Sequence, residues 1–178
     1  MLAPLWPRPS ISKLSAASVI DDPVAPPPYV ALTLAAARFW ADAISAHPEI
    51  DAGRLTGVFA FDDNAEGAAF CAAAVLSGEK TATSALAADF GPDRPEPLPG
   101  DLEIVTEFDG TPRALIAYTA IDRVRFGDVD EAFARAEGDG CLAAWRATHL
   151  RYYGARCAAH RTSLTEETEL LRLFFHRV

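Results

Sequence analysis

Hydrophobic positions begin to repeat in this chain only at residue 31. From Ala31 to His47 they follow a helical period. Leu34, Ala37 and Ala41 can line up with Ile44, or Phe39 with Trp40, and Pro48 closes the segment. A second helix is predicted from about Asn64 to Ser77, with Asp63 and Glu66 as a capping pair and Gly78 as its stop. Glu79 to Leu86 then alternates small polar and apolar residues, the pattern of a turn entering a strand. Four prolines between Gly91 and Gly100 mark a loop. Leu102 to Glu107 alternates as a strand, Asp109-Gly110 supplies a hairpin turn, and Ala114 to Arg125 gives a longer strand bent near Asp122. Asp128 with Glu131 signals a short helix ending at about Glu137, before Gly138. Cys141 to Ala159 reads as a further helix and Glu169 to His176 as a closing strand.

Strands and helices do not alternate along this order, so a doubly wound parallel sheet is disfavoured. An α+β domain with a small, mostly antiparallel curled sheet is the expected class. Residues 1–30 hold seven of the 13 prolines, with serines interspersed and no surviving period. They read as a Pro-rich, flexible N-terminal arm before a domain over 31–178.

Composition sharpens this outline. Half of the 178 residues are hydrophobic and 23% are charged, enough apolar material for one core. No apolar run is long enough to cross a membrane. Three scattered cysteines without a C-x-x-C pair argue against a disulfide framework or a cysteine zinc site, and suit a reducing cytoplasm. The net charge of −9 disfavours a coat for long double-stranded nucleic acid. Charge is uneven, though. Residues 31–140 carry 8 basic and 20 acidic side chains, and residues 141–178 carry 6 arginines against 3 acids.

Several chemistries lack their motif. There is no phosphate-binding G-x-x-x-x-G-K-[ST] loop, no dinucleotide G-x-G-x-x-G and no G-x-S-x-G elbow. The four histidines are not at H-E-x-x-H spacing, so neither a metal nor another cofactor is expected. Lys80 stands out because it and Lys13 are the only lysines beside 14 arginines. Unlike arginine, a lysine can lose its proton. It sits in Gly78-Glu79-Lys80-Thr81-Ala82-Thr83-Ser84. On a regular strand Lys80, Ala82 and Ser84 would share one face. If the turn at Gly78 runs past Lys80, Lys80 and Thr83 converge instead. A desolvated lysine beside hydroxyls can act as a base, or stay charged and hold an anion.

Four ordered blocks carry a resemblance. They are F-x-D-N-A-E-x-x-A-x-x-x-x-x-x-L-S-G-E-K-T-A-T-S, then P-G-D, then F-G-D-V-D-E-A-F-A-x-x-E-G-D-G, then W-R-A-T-H. Together they resemble the ASCH domain family, over about residues 37–178. The family signature G-x-K-x-x-T is met by Gly78, Lys80 and Thr83, and the barrel G-D by Gly100-Asp101. The resemblance implies a PUA-like β-barrel flanked by helices, with a cleft for a nucleoside or short single-stranded RNA. Some relatives hydrolyse acylated cytidine nucleosides with a lysine, a threonine and a glutamate. Others are described as ribonucleases.

By position these roles fall on Lys80, Thr83 and Glu137, with Glu131 and Asp139 as alternatives for the carboxylate. Thr83 could attack an amide carbonyl or orient a water. Lys80 could take its proton or stabilise the oxyanion, and Glu137 could protonate the leaving amine. A non-enzymatic RNA-binding module is the alternative. Gly78, Thr81, Ser84, Phe61 and Asp63 are candidate ligand contacts, Asp63 reading first as a helix cap. Trp145 and His149, four apart on one helix, could stack a base with Arg146 on a phosphate, or Trp145 could simply be a core anchor.

Overall fold

The computed structural model describes residues 30–92 and 94–178. The N-terminal arm expected over residues 1–30 therefore lies outside the described residues, save for Val30. The elements run α1 (Leu34–Ala46), β1 (Leu55–Ala60), α2 (Ala65–Ser77), β2 (Ala82–Leu86), β3 (Leu102–Thr106), β4 (Pro112–Arg125), α3 (Glu131–Glu137), α4 (Leu142–Ala159) and β5 (Glu169–Arg177).

The strands form one curled sheet in the order β1-β3-β4-β5-β2, a half-barrel whose free edges are β1 and β2. Three pairings are antiparallel and β1–β3 is parallel. The class is α+β, as the element order implies.

Alternation along the strands divides the core. Val105, Ile116, Leu171 and Leu173 face one side, where Val75 of α2 covers them. Ile104 and Leu115 face the other side, under Trp40 of α1. Leu170 faces Phe133 of α3 and Trp145 of α4. Burying several such large apolar side chains stabilises the domain by roughly 1.5–3 kcal/mol each.

The structure departs from the sequence pattern in particular places. A strand, β1, occupies Leu55–Ala60, where periodicity predicts no element. Its run is short, is interrupted by Gly57, and is irregular between Leu55 and Gly57, so no clean two-residue period survives. On α1 the buried positions are Ala36, Trp40 and Ile44, and Leu34 is exposed. The bulky indole sets which stripe faces the sheet.

Two helix caps also shift. Asn64, not Asp63, caps α2 by accepting from the Gly67 N–H at 2.9 Å. Asp130, not Asp128, caps α3 by accepting from the Phe133 N–H at 2.8 Å. Asp63 and Asp128 instead pair with Arg151 and Arg125. Among the described residues, no helix is long and apolar enough to cross a membrane.

Candidate functional site

The site grows out of two helix ends. Gly78 terminates α2 in a left-handed conformation, φ +83°, which glycine adopts without a Cβ penalty. The chain leaves that turn at Lys80, and β2 does not begin until Ala82. Lys80 is thus not in strand register and swings inward to 5% exposure. Gly138 ends α3 in the same way, φ +95°. A Cβ built there would stand 3.7 Å from the Lys80 Cβ, so the two turns lie against each other.

α3 approaches the free edge of β2. The Thr81 N–H donates to the Ala136 carbonyl at 2.8 Å. One residue later, Glu137 directs its carboxylate at the same edge. Its Oε1 accepts from the Ser84 N–H at 2.8 Å, a backbone donor with no strand partner on that side. The Thr83 hydroxyl donates to Oε1 at 3.2 Å and the Ser84 hydroxyl lies 3.0 Å from Oε2. From α4 the Trp145 indole N–H donates to Oε2 at 2.6 Å. Because Glu137 enters over the strand edge, both Thr83 and Ser84 reach it, although they alternate in direction.

Lys80 Nζ donates to the Glu137 backbone carbonyl at 2.7 Å and lies 3.8 Å from Oε1. It also stands 4.9 Å from the centre of the Phe61 ring, a cation–π distance. Burial alone would push the Glu137 carboxyl up. The Lys80 charge, with His149 and Trp145, overcomes burial and brings its pKa down to about 2. Glu137 is therefore a fixed anion at neutral pH, which suits an acceptor or electrostatic anchor and not a resting proton donor. Nearby Asp139 is half-buried, and that burial raises its carboxyl above the usual range.

His149 completes the cluster. Its Nδ1 lies 2.8 Å from the Trp145 carbonyl, and its Nε2 lies 3.7 Å from Glu137 Oε1. The ring stacks on Trp145 at 4.2 Å between centroids and 15° between planes. Tyr153, one turn further along α4, approaches the ring at 5.4 Å.

Lys80, Thr83, Ser84, Glu137, Phe61, Trp145 and His149 thus meet in one place. Within this group Trp145 is wholly buried, so it has no open face for a base. Other candidates do not join them. Arg146 turns away to Glu166 and the Gly127 carbonyl. Asp63 ties to Arg151, and the Thr81 side chain is exposed. Gly78 contributes its turn. Between the alternative carboxylates, Glu131 accepts from the Leu142 N–H at the start of α4, leaving Glu137 beside Lys80. Tyr153 belongs to the group by helical spacing, Trp145, His149, Tyr153, a signal present in the sequence but indistinguishable there from core packing.

Glu137, Asp139 and His149 bring one ligand atom each within 4.8 Å of one another. Both Glu137 oxygens already accept hydrogen bonds and an ammonium stands 3.8 Å off. That donor set does not fit a divalent cation, which needs free lone pairs and no competing cation. A surface depression of about 370 Å³, lined by residues including Leu86, Cys157 and the Arg123–Glu169 pair, shares none of the cluster's residues. The arginines of α4 are neutralised across elements: Arg146 by Glu166, Arg151 by Asp63, Arg156 by Asp89.

A family model described as ASCH domain matches residues 57–178. The crystal structure of an ASCH domain from Lactobacillus crispatus is similar to this chain, with a TM-score of 0.73 and 26% identity, over 79% of this chain and 91% of that one. A crystal structure of a protein from Enterococcus faecalis is similar at a TM-score of 0.72 and 26% identity, over 79% and 86%. No curated protein matches the chain in sequence.

Proposed function

The chain belongs to the ASCH domain family, and from that premise we propose that it hydrolyses the amide of an acylated, cytidine-type nucleoside in the cleft around Lys80, Thr83 and Glu137. The observation that supports this most is the meeting of a buried lysine, a threonine hydroxyl and an ionised glutamate at the β2 edge of the half-barrel.

Each group has a role consistent with its surroundings. The Thr83 hydroxyl donates its proton toward Glu137 Oε1, which orients its lone pairs for attack on an acyl carbon or for holding a water. Lys80 offers a positive charge fixed by the Glu137 carbonyl, placed to stabilise the oxyanion that forms. Glu137, held ionised, orients both partners. The Thr83 and Ser84 hydroxyls can also hydrogen-bond the polar edge of a nucleobase.

An RNA phosphodiester is less well served. The paired α4 arginines leave little free positive charge for a polyanion, and residues 31–140 are strongly acidic. A nucleoside tolerates that surface.

The test is turnover of a panel of acylated cytidine nucleosides, and of short single-stranded RNA, by wild type and Thr83→Val, each checked for folding by circular dichroism. Cleavage of an amide by wild type, with a loss of 100-fold or more in the folded variant, supports the reading. RNA binding with no turnover of any acylated nucleoside would replace it with the non-enzymatic module.

A further inference from the structure

We infer that His149 is the proton carrier of this site, taking the proton of the attacking oxygen on Nε2 and delivering it to the leaving amine. The inference rests on the hydrolase reading above and adds the step which that reading leaves without a group.

Geometry removes the other uses of this ring. One face is stacked on Trp145 at 4.2 Å, and Tyr153 approaches at 5.4 Å, so no base can intercalate. The Trp145 carbonyl can only accept, so Nδ1, 2.8 Å away, must carry a hydrogen. In the neutral ring Nε2 is then bare, which is the tautomer a general base requires. The same contact and the Trp145 stack fix the ring plane. The side chain keeps 12% of its surface exposed while the ring stays held.

The charges around Nε2 suit a ring that becomes positive during the reaction. From the end of α3, Glu137 Oε1 stands 3.7 Å away, and Asp139 joins it within 4.8 Å. Lys80 faces from the turn before β2 and opposes them, and Tyr153 faces from α4 itself. Thr83 Oγ1 and His149 Nε2 stand 3.2 Å and 3.7 Å from the same oxygen, Glu137 Oε1, so both border one carboxylate.

The step balances within the site. A water held by Thr83 forms a bond to the acyl carbon through its oxygen while its proton passes to Nε2, and the Thr83 hydroxyl keeps its own proton on Glu137 Oε1. The C–N bond then breaks as Nε2–H transfers that proton to the departing nitrogen, and His149 returns to its starting tautomer. No oxidant, metal or external acid is needed. Glu137 remains an anion throughout, as its burial beside Lys80 requires.

The experiment compares wild type, His149→Gln and His149→Ala on an acylated cytidine amide and on an oxygen ester of the same acyl group. The ester's leaving group needs far less help from an acid. The expected result is a loss of 100-fold or more on the amide, a much smaller loss on the ester, and partial recovery of His149→Ala by added imidazole. Nitrogen NMR of the folded wild type should show the neutral His149 ring protonated at Nδ1. Equal losses on amide and ester without imidazole recovery, or an Nε2–H tautomer, would overturn the assignment while leaving the hydrolase reading standing. A wild type that cleaves neither substrate would overturn both.

Discussion

Lys80 touches both ends of one residue: its ammonium donates to the Glu137 backbone carbonyl at 2.7 Å and lies 3.8 Å from that residue's carboxylate. Both side chains are about 5% exposed, so this is an ion pair inside the domain and not a surface bridge. Its two charges were costly to desolvate, and each is retained only because the other and several hydrogen bonds compensate it.

Removing the cation should therefore be severe. Lys80→Met is expected to destabilise the domain by about 3–5 kcal/mol, because Glu137 keeps its burial and loses its counter-charge. Lys80→Arg should also destabilise, since the larger guanidinium meets the Phe61 ring and the Gly138 turn. The double variant Lys80→Met with Glu137→Gln should recover part of the loss. Urea unfolding of the three proteins checks this, and near-wild-type stability of Lys80→Met would contradict it.

The pH dependence has a definite sign. The Glu137 carboxyl titrates near 4.5 when unfolded and is lowered to about 2 when folded. Its contribution is thus complete above about pH 4.5 and is lost as pH falls toward 2. The displacement corresponds to roughly 3 kcal/mol. Glu137→Gln should flatten the stability profile between pH 5 and 2, read by chemical denaturation at each pH. An unchanged slope would mean Glu137 is not held ionised.

Trp145→Phe isolates one hydrogen bond. The ring stays in the core, but the indole N–H that reaches Glu137 at 2.6 Å is gone. A cost of about 1–3 kcal/mol is expected, from the lost charged hydrogen bond and the smaller ring. The ultraviolet or NMR titration of the site should move with it, the Glu137 carboxyl rising. A variant with wild-type stability would show that Ser84 and Thr83 suffice to hold the carboxylate.

Ligand binding should depend weakly on salt. Arg146, Arg151 and Arg156 are each engaged by an acid on another element, so few are free to displace counterions from a polyanion. The slope of log affinity for a short RNA against log salt is expected to stay shallower than about −2. A slope of −4 or steeper would show that the arginines exchange partners and that a long backbone is tracked.

How much of this was legible depends on range. Gly78, Lys80 and Thr83 announce their turn because a helix stop, a lone lysine and a hydroxyl-rich strand are local signals. The convergence of Lys80 with Thr83 depended on where β2 starts, and residue order left that open. Strand β1 was not legible, since its pairing with β3 lies in contacts almost fifty residues away. The caps at Asn64 and Asp130 fell one and two residues from the expected ones because several short polar side chains precede each helix and any of them could serve as the cap.

Local chemistry in the chain determined the helices α1 to α4, the strands β2 to β5, the class of fold and the group of residues from which a site could be built. It also fixed Glu137 just before a glycine, an unfavourable place for a carboxylate at a helix C-terminus. Only the tertiary structure decided why that residue is tolerated. The free edge of β2, the Trp145 indole and the Lys80 ammonium converge on it from three elements. It likewise decided that Trp145 supports the site from within the core instead of facing a ligand, and that the α4 arginines are paired. Such outcomes follow from burial and long-range pairing, which depend on distances between segments and not on the order of residues within them.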